Sequence, residues 1–160
     1  MNRKLIVASV AVVLLLSLAG ISPVTAQSAL PSEVISAVQA AILDEYTAYN
    51  LYQAVIDQFG PIRPFTNIQA AETQHIEAWK RIFSQYGIPL PPIPVLEQKP
   101  QFATRFAACE AAVNAEIANV RLYDNMLGTV SGYPDIVRVA TALRNVSQTR
   151  HLLAFQRCAG

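Results

Sequence analysis

The stretch "AAETQHIEAW", Ala70 to Trp79, sets Glu72 and His75 three residues apart, on the same rhythm as Ile68, Trp79 and Ile82. That spacing is just under one helical turn, so both side chains leave one face of a helix. Glu45 falls between Ile42 and Tyr49 at the same spacing, and Glu116 between Val113 and Val120. The chain has only two histidines, and the second, His151, follows Ser147 and precedes Ala154 on a further apolar stripe. Carboxylate and imidazole donors gathered together suit iron, manganese or zinc. A lone Glu-x-x-His arises often by chance. Its weight here comes from two more glutamates on apolar stripes and from both histidines joining them.

These residues need rods to hold them, and the punctuation supplies four. "FGPIRPF" (Phe59 to Phe65), "YGIPLPPIPVLEQKP" (Tyr86 to Pro100) and "GTVSGYP" (Gly128 to Pro134) are rich in Gly and Pro and interrupt long helical periodicities. The spacing predicts helices over Ser32–Gln58, Asn67–Tyr86, Phe102–Leu127 and Pro134–Arg157. Ser32 is the expected N-cap of the first. Thr66 to Gln69 read as a capping box for the second, and Pro134 suits the first turn of the fourth. Inner stripes follow: Ile35, Val38, Ile42, Glu45, Tyr49, Tyr52, Ile56 and Phe59 on the first helix, and Ile68, Glu72, His75, Trp79, Ile82 and Tyr86 on the second. Phe106, Cys109, Val113, Glu116, Val120, Tyr123 and Leu127 mark the third; Ile136, Ala140, Leu143, Ser147, His151 and Ala154 mark a looser fourth. Such stripes are the seams of an all-α, antiparallel four-helix bundle. The long proline-rich segment provides a crossover between helices two and three.

Residues 1–26 read as a signal peptide. Arg3 and Lys4 precede an apolar run from Leu5 to about Ile21, and Val24-Thr25-Ala26 places small residues before a cut after Ala26. The alternative is a retained membrane anchor. Cleavage leaves one domain, residues 27–160, in a secreted or cell-envelope compartment, with no membrane role. Lys and Arg total 12 and Asp and Glu 11 over the whole chain. That balance, without a basic run, gives no reason to expect a nucleic-acid partner. Two cysteines in an exported chain, Cys109 and Cys158, predict one disulfide. If they pair across antiparallel helices, His151 falls level with Glu116 and Gln148 with Asn119.

Other readings compete at each position. Arg121, Arg144 or Arg150, with shared protons, could balance the glutamates in a buried hydrogen-bond network. Tyr49, Tyr52 and Tyr123 could donate to the glutamates, act as redox-active phenols or serve as core aromatics. Trp79 reads as plain core, and Asp44, Glu110 and Asp124 as solvated. The cysteines could instead bind metal, although they fall about two turns from the cluster.

Glu on helix one, Glu-x-x-His on helix two, Glu on helix three and His on helix four is the ligand order of the ferritin-like superfamily. "DEYTAYNLYQAVIDQFG", "PFTNIQAAETQHIEAW", "AEIANVRLYDNML" and "HLLAFQRC" resemble, more narrowly, the prokaryotic ferritin-like family known as domain of unknown function 2202. The resemblance spans nearly all of residues 27–160. It implies a ferritin-like bundle and a di-metal centre carried by Glu45, Glu72, His75, Glu116 and His151, with iron favoured and manganese or zinc as alternatives. The wider superfamily carries a second Glu-x-x-His on helix four, where this chain has Gln148-Thr-Arg-His151. Three carboxylates against two divalent ions leave about one positive charge, so a weaker second position or a single metal fits as well. The expected partners are metal ions and small oxidants, with a homo-oligomer left open. The candidate roles are a redox protein acting on ferrous iron, dioxygen or peroxide, a metal-sequestering module without turnover, and a structural bundle with a proton-balanced polar core.

Overall fold

The structure, a computed structural model, describes residues 30–160, so the expected signal peptide lies outside the described residues. Helices account for nearly all regular structure, and no strand occurs among the described residues. Helix α1 spans Ser32–Phe59, α2 Phe65–Tyr86, α3 Arg105–Thr129, α4 Pro134–Val146 and α5 Leu152–Cys158. A single π-helical turn, Ser147–His151, joins α4 to α5 as one fourth rod. No helix among the described residues is long and apolar enough to cross a membrane.

The caps differ from expectation at two helices. Pro31 caps α1 without a side-chain bond, and Ser32 lies inside the helix with its hydroxyl turned to Glu33. Helix α2 starts at Phe65 after Pro64, so Thr66 is already helical. Gln69 reaches away from the helix start to Gln53 and the Tyr49 carbonyl, and no capping box forms. The true N-cap is Thr104 of α3, whose hydroxyl accepts from the Ala107 N–H. Pro134 does occupy the first turn of α4. Gly60 and Gly87 end α1 and α2 at positive φ, which a side chain would strain.

Pairings fix the directions of neighbouring rods. Glu45 meets His75 and Gln53 meets Gln69, so α1 and α2 run antiparallel. Cys109 pairs with Cys158 and Asp124 with Arg144, so α3 and the fourth rod do too. The cysteine pair lies at disulfide distance, with Cα atoms 5.7 Å apart.

The core is divided. One apolar cluster holds Val38, Ile42, Trp79, Phe83, Met126, Ile136 and their neighbours; the other holds Tyr52, Val55, Phe65, Ile68, Cys109 and Phe155. Between them lies a layer of buried polar groups: Glu45, Glu72, His75, Glu116, Asn119, Ser147 and His151. Dry packing on both sides removes water from that layer, which leaves its charges to be answered from within.

Candidate metal centre

Glu45, Glu72, His75 and Glu116 lie well inside α1, α2 and α3, and His151 ends the π turn of the fourth rod. They form two overlapping groups. Glu45, Glu72 and His75 offer ligand atoms all within 4.8 Å of one another, and so do Glu72, Glu116 and His151. Glu72 belongs to both. All five are buried, with Glu45 fully so.

The contacts are short and converge on the imidazole Nδ1 atoms. His75 Nδ1 lies 2.8 Å from Glu72 Oε2 and 3.1 Å from Glu45 Oε2. His151 Nδ1 lies 3.1 Å from Glu72 Oε1 and 3.6 Å from Glu116 Oε1. The two rings stack with centroids 5.3 Å apart. One Nδ1 carries at most one proton, so it cannot donate to two carboxylates. The accounting fails as it must: Glu72 Oε2 and His151 Nδ1 are buried at short range from their neighbours yet lack a hydrogen bond of acceptable angle. Donor atoms that crowd one another without bonding fit a cation placed among them, and the mix of carboxylate oxygen and imidazole nitrogen fits iron, manganese or zinc.

Neutral donors brace the outer carboxylates. Tyr52 Oη donates to Glu116 Oε1 at 2.6 Å, and Tyr123 Oη donates to Glu45 Oε1. Trp79 Nε1 in turn donates to Tyr123 Oη at 2.9 Å, so Trp79 is more than core filling. Tyr49 packs half-buried against the apolar cluster instead. Burial, together with the adjacent carboxylates, raises Tyr52 and Tyr123 well above an ordinary phenol, so both remain donors.

Without an ion, protons answer the charge. Burial raises the Glu45 carboxyl to about 7, although its bond to His75 pulls the other way. Burial opposes charging His75, but its contacts with Glu45 and Glu72 outweigh that and lift it to about 10. His151 rises to about 9 for the same reason, burial being overcome by Glu116 and Glu72. Glu72 falls below its ordinary value: burial would raise it, yet both histidines hold it ionised. The arginines take no part. Arg144 pairs with Asp124 at 2.8 Å on the surface, and Arg121 and Arg150 are exposed.

Several expectations need correction. Asp44 is not simply solvated: it is half-buried and accepts from Asn119 Nδ2 at 2.7 Å, and burial raises it to about 6. Glu110 and Asp124 are exposed. The inner stripe of α3 runs through Ala108, Cys109, Ala112, Glu116, Asn119, Tyr123 and Met126, while Phe106 is 50% exposed. On the fourth rod Phe155, not Ala154, enters the core, because the π turn adds a residue before it. Gln148 points outward and accepts from Arg144, so it contributes nothing to the cluster. Cys109 and Cys158 pair with each other and belong to neither group of candidate ligands.

Compared with protein-family models, with curated proteins and with solved structures, the chain matches none. The chemistry of the centre is therefore carried by the residues and distances above.

Proposed function

We propose that this protein is an extracytoplasmic, ferritin-like metal-binding protein whose buried centre takes two divalent ions, iron before manganese or zinc. The observation that carries the reading is Glu72, which turns one oxygen toward His75 and the other toward His151. A carboxylate so placed can bridge two cations, with Glu45 and His75 completing one position and Glu116 and His151 the other. Two ferrous ions held there would supply electrons for reducing dioxygen or peroxide. The protein's own share is to fix the ligands on rods, to exclude water with an apolar cluster on either side, and to orient the outer carboxylates through Tyr52 and Tyr123.

The topology supports the ferritin-like reading. Glu72 sits beside Glu116 through His151, and Trp79 beside Tyr123, in the same order along α2 and α3. Those helices therefore run in one direction, which requires the segment between them to travel the length of the bundle. Contacts of that segment along α1 favour such a course: Asn50 donates to the Pro94 carbonyl, Lys99 pairs with Asp57, and Gln58 bonds the Phe102 backbone. The cysteine pair is compatible with an oxidising compartment.

Purified protein assayed for metal and then mixed with Fe²⁺ under oxygen, with absorbance followed by stopped flow, tests the proposal. Two bound ions and oxidation faster than buffer support it; no bound metal defeats it. A second reading, sequestration without turnover, draws on the outward-facing Gln148, which leaves three carboxylates for two ions. Metal uptake without oxygen consumption selects that reading.

A further inference from the structure

The segment between α2 and α3 carries a surface of its own. From Ile88 to Pro94, "IPLPPIP", every residue is a proline or precedes one. Proline fixes φ at about −65°, and the residue before it is driven to extended backbone. The run is thereby confined to the left-handed polyproline II form, with about three residues per turn. Burial repeats with that period. Ile88 is buried and Pro91 and Pro94 are half-buried, while Pro89, Leu90, Pro92 and Ile93 between them are exposed. No helix or strand interrupts residues 88–96.

One row therefore faces the bundle, and Asn50 holds it there by donating to the Pro94 carbonyl at 2.9 Å. The other two rows face outward: Leu90 with Ile93, and Pro89 with Pro92 and Val95. Five large apolar side chains are exposed among the described residues, and three of them sit here: Leu90 at 50%, Ile93 at 59% and Val95 at 86%. Clefts of about 300 and about 240 Å³ lie beside the strap, the first touching Val95 and Leu96, the second Ile93, with Asn50 lining both. The strap is left as an apolar ridge with open space at its sides.

The chemistry of the ridge selects what can cover it. Four prolines in seven residues remove four N–H donors, so the ridge offers carbonyl oxygens and apolar carbon. Its complement must donate hydrogen bonds and present flat apolar faces, which indole and phenol rings do together. Other coverings lack a match. A strand edge finds too few N–H groups to pair with. An anionic lipid surface attracts basic residues, yet no Lys or Arg lies between Arg81 and Lys99, and Lys99 is tied to Asp57 at 2.7 Å. A second copy offers no exposed tryptophan, since Trp79, the only one, is fully buried.

We propose that residues 88–96 are a docking strap for a small protein domain whose groove is lined by Trp and Tyr. The Leu90–Ile93 row and the Pro89–Pro92 row enter adjacent pockets of that groove. Two P-x-x-P spacings, Pro89 to Pro92 and Pro91 to Pro94, suit such pockets. Because the strap is already held in the form that binds, docking costs little further ordering. Docking does not depend on metal in the centre.

Isotope-labelled SH3 and WW domains, whose grooves carry these rings, are the probes, titrated with the purified protein and followed by NMR. Expected are shifts confined to the groove of at least one probe, lost with Leu90→Ser/Ile93→Ser and kept with Phe106→Ser, the control for a lone exposed apolar side chain. The melting temperature should not change in the double variant, since both side chains are exposed. Shifts in neither probe overturn the proposal. Equal loss with Phe106→Ser also overturns it, since nonspecific apolar contact then explains the shifts. The same proteins are sedimented alone and with phosphatidylglycerol vesicles. Dimerisation or vesicle binding that Leu90→Ser/Ile93→Ser abolishes would assign the strap to a second copy or to a lipid surface instead.

Discussion

Glu72 Oε1 lies 3.1 Å from His151 Nδ1, close enough to bond, yet the nitrogen is left without a hydrogen bond. The other oxygen of Glu72 stands at 2.8 Å from His75 Nδ1 in the same condition. Sharing of Glu72 between two groups makes the variants unequal. Glu72→Ala should abolish both metal positions, whereas Glu45→Ala and Glu116→Ala should each leave one. Metal content by elemental analysis after equilibrium dialysis checks this. Equal losses in all three variants would show that the carboxylate does not bridge.

The protons that answer the charge without metal set a pH dependence with a definite sign. Burial raises Glu45 from 4.5 to about 7, and carboxylate contacts overcome burial to raise His75 and His151 from 6.5 to about 10 and about 9. All three bind protons more tightly folded than unfolded, so each stabilises most at low pH. Their contribution fades as pH rises, between 4.5 and 7 for Glu45 and between 6.5 and about 10 for the histidines. Glu72, lowered by His151 and His75 against burial, acts oppositely: its contribution is present above 4.5 and lost as pH falls below it. The metal-free protein should therefore lose thermal stability from about pH 5 to about pH 9. Metal competes with those same protons, so the stabilisation gained on loading should grow with pH across this window. Calorimetry with and without Zn²⁺ measures both trends, and a flat metal-free profile would contradict the protonation scheme.

Tyr52 and Tyr123 should matter for metal affinity rather than for folding alone. Each donates to an outer carboxylate and so decides which oxygen is free to bind an ion. Partners of this kind typically change affinity by about 10- to 100-fold. Tyr52→Phe should weaken the position of Glu116 and His151, and Tyr123→Phe that of Glu45 and His75. Competition with a chelator of known affinity reads the two separately. Affinity unchanged in both variants would reduce the phenols to core packing.

How far the centre could be read from sequence differs by helix. On α2 the stripe of Ile68, Glu72, His75, Trp79 and Ile82 is spelled in large apolar residues, and all of them are buried as that pattern implies. On α3 size misleads. The inner face uses Ala108, Ala112 and Asn119, while the bulkier Phe106, Val113 and Val120 lie toward its margins. Alanine reads as neutral in a pattern, and Asn119 gains its place only from Asp44 and Glu45, which sequence spacing does not bring to it. Glu116 and Tyr123 are legible because both lie on the expected stripe and on the buried face. On the fourth rod the expected stripe follows one helical period, and the π turn breaks it. Leu143, Ser147, His151 and Phe155 repeat every four residues, but Val34, Val38, Ile42 and Tyr46 do the same while buried on the unbroken α1, so the repeat alone does not mark the π turn.

That turn gives the last prediction. The turn Ser147–His151 closes with the Leu152 N–H on the Ser147 carbonyl, one residue wider than an α-helical turn. Its extra residue lets His151 face Glu72 while Phe155 and Cys158 keep their places in the second apolar cluster. Deleting Thr149, an exposed residue within the turn, should restore an unbroken α-helix. Ser147, His151 and Phe155 would then stand at i, i+3 and i+7, still one face, so the bundle and the cysteine pair should survive. His151 would shift by about 1.5 Å along the axis relative to Glu72, the rise of one helical residue. Displacement of that size exceeds what a ligand set tolerates. The deletion variant should melt cooperatively, as a folded protein does, and bind one ion instead of two. Retention of both ions would mean that the π turn serves packing, and that His151 reaches the centre without it.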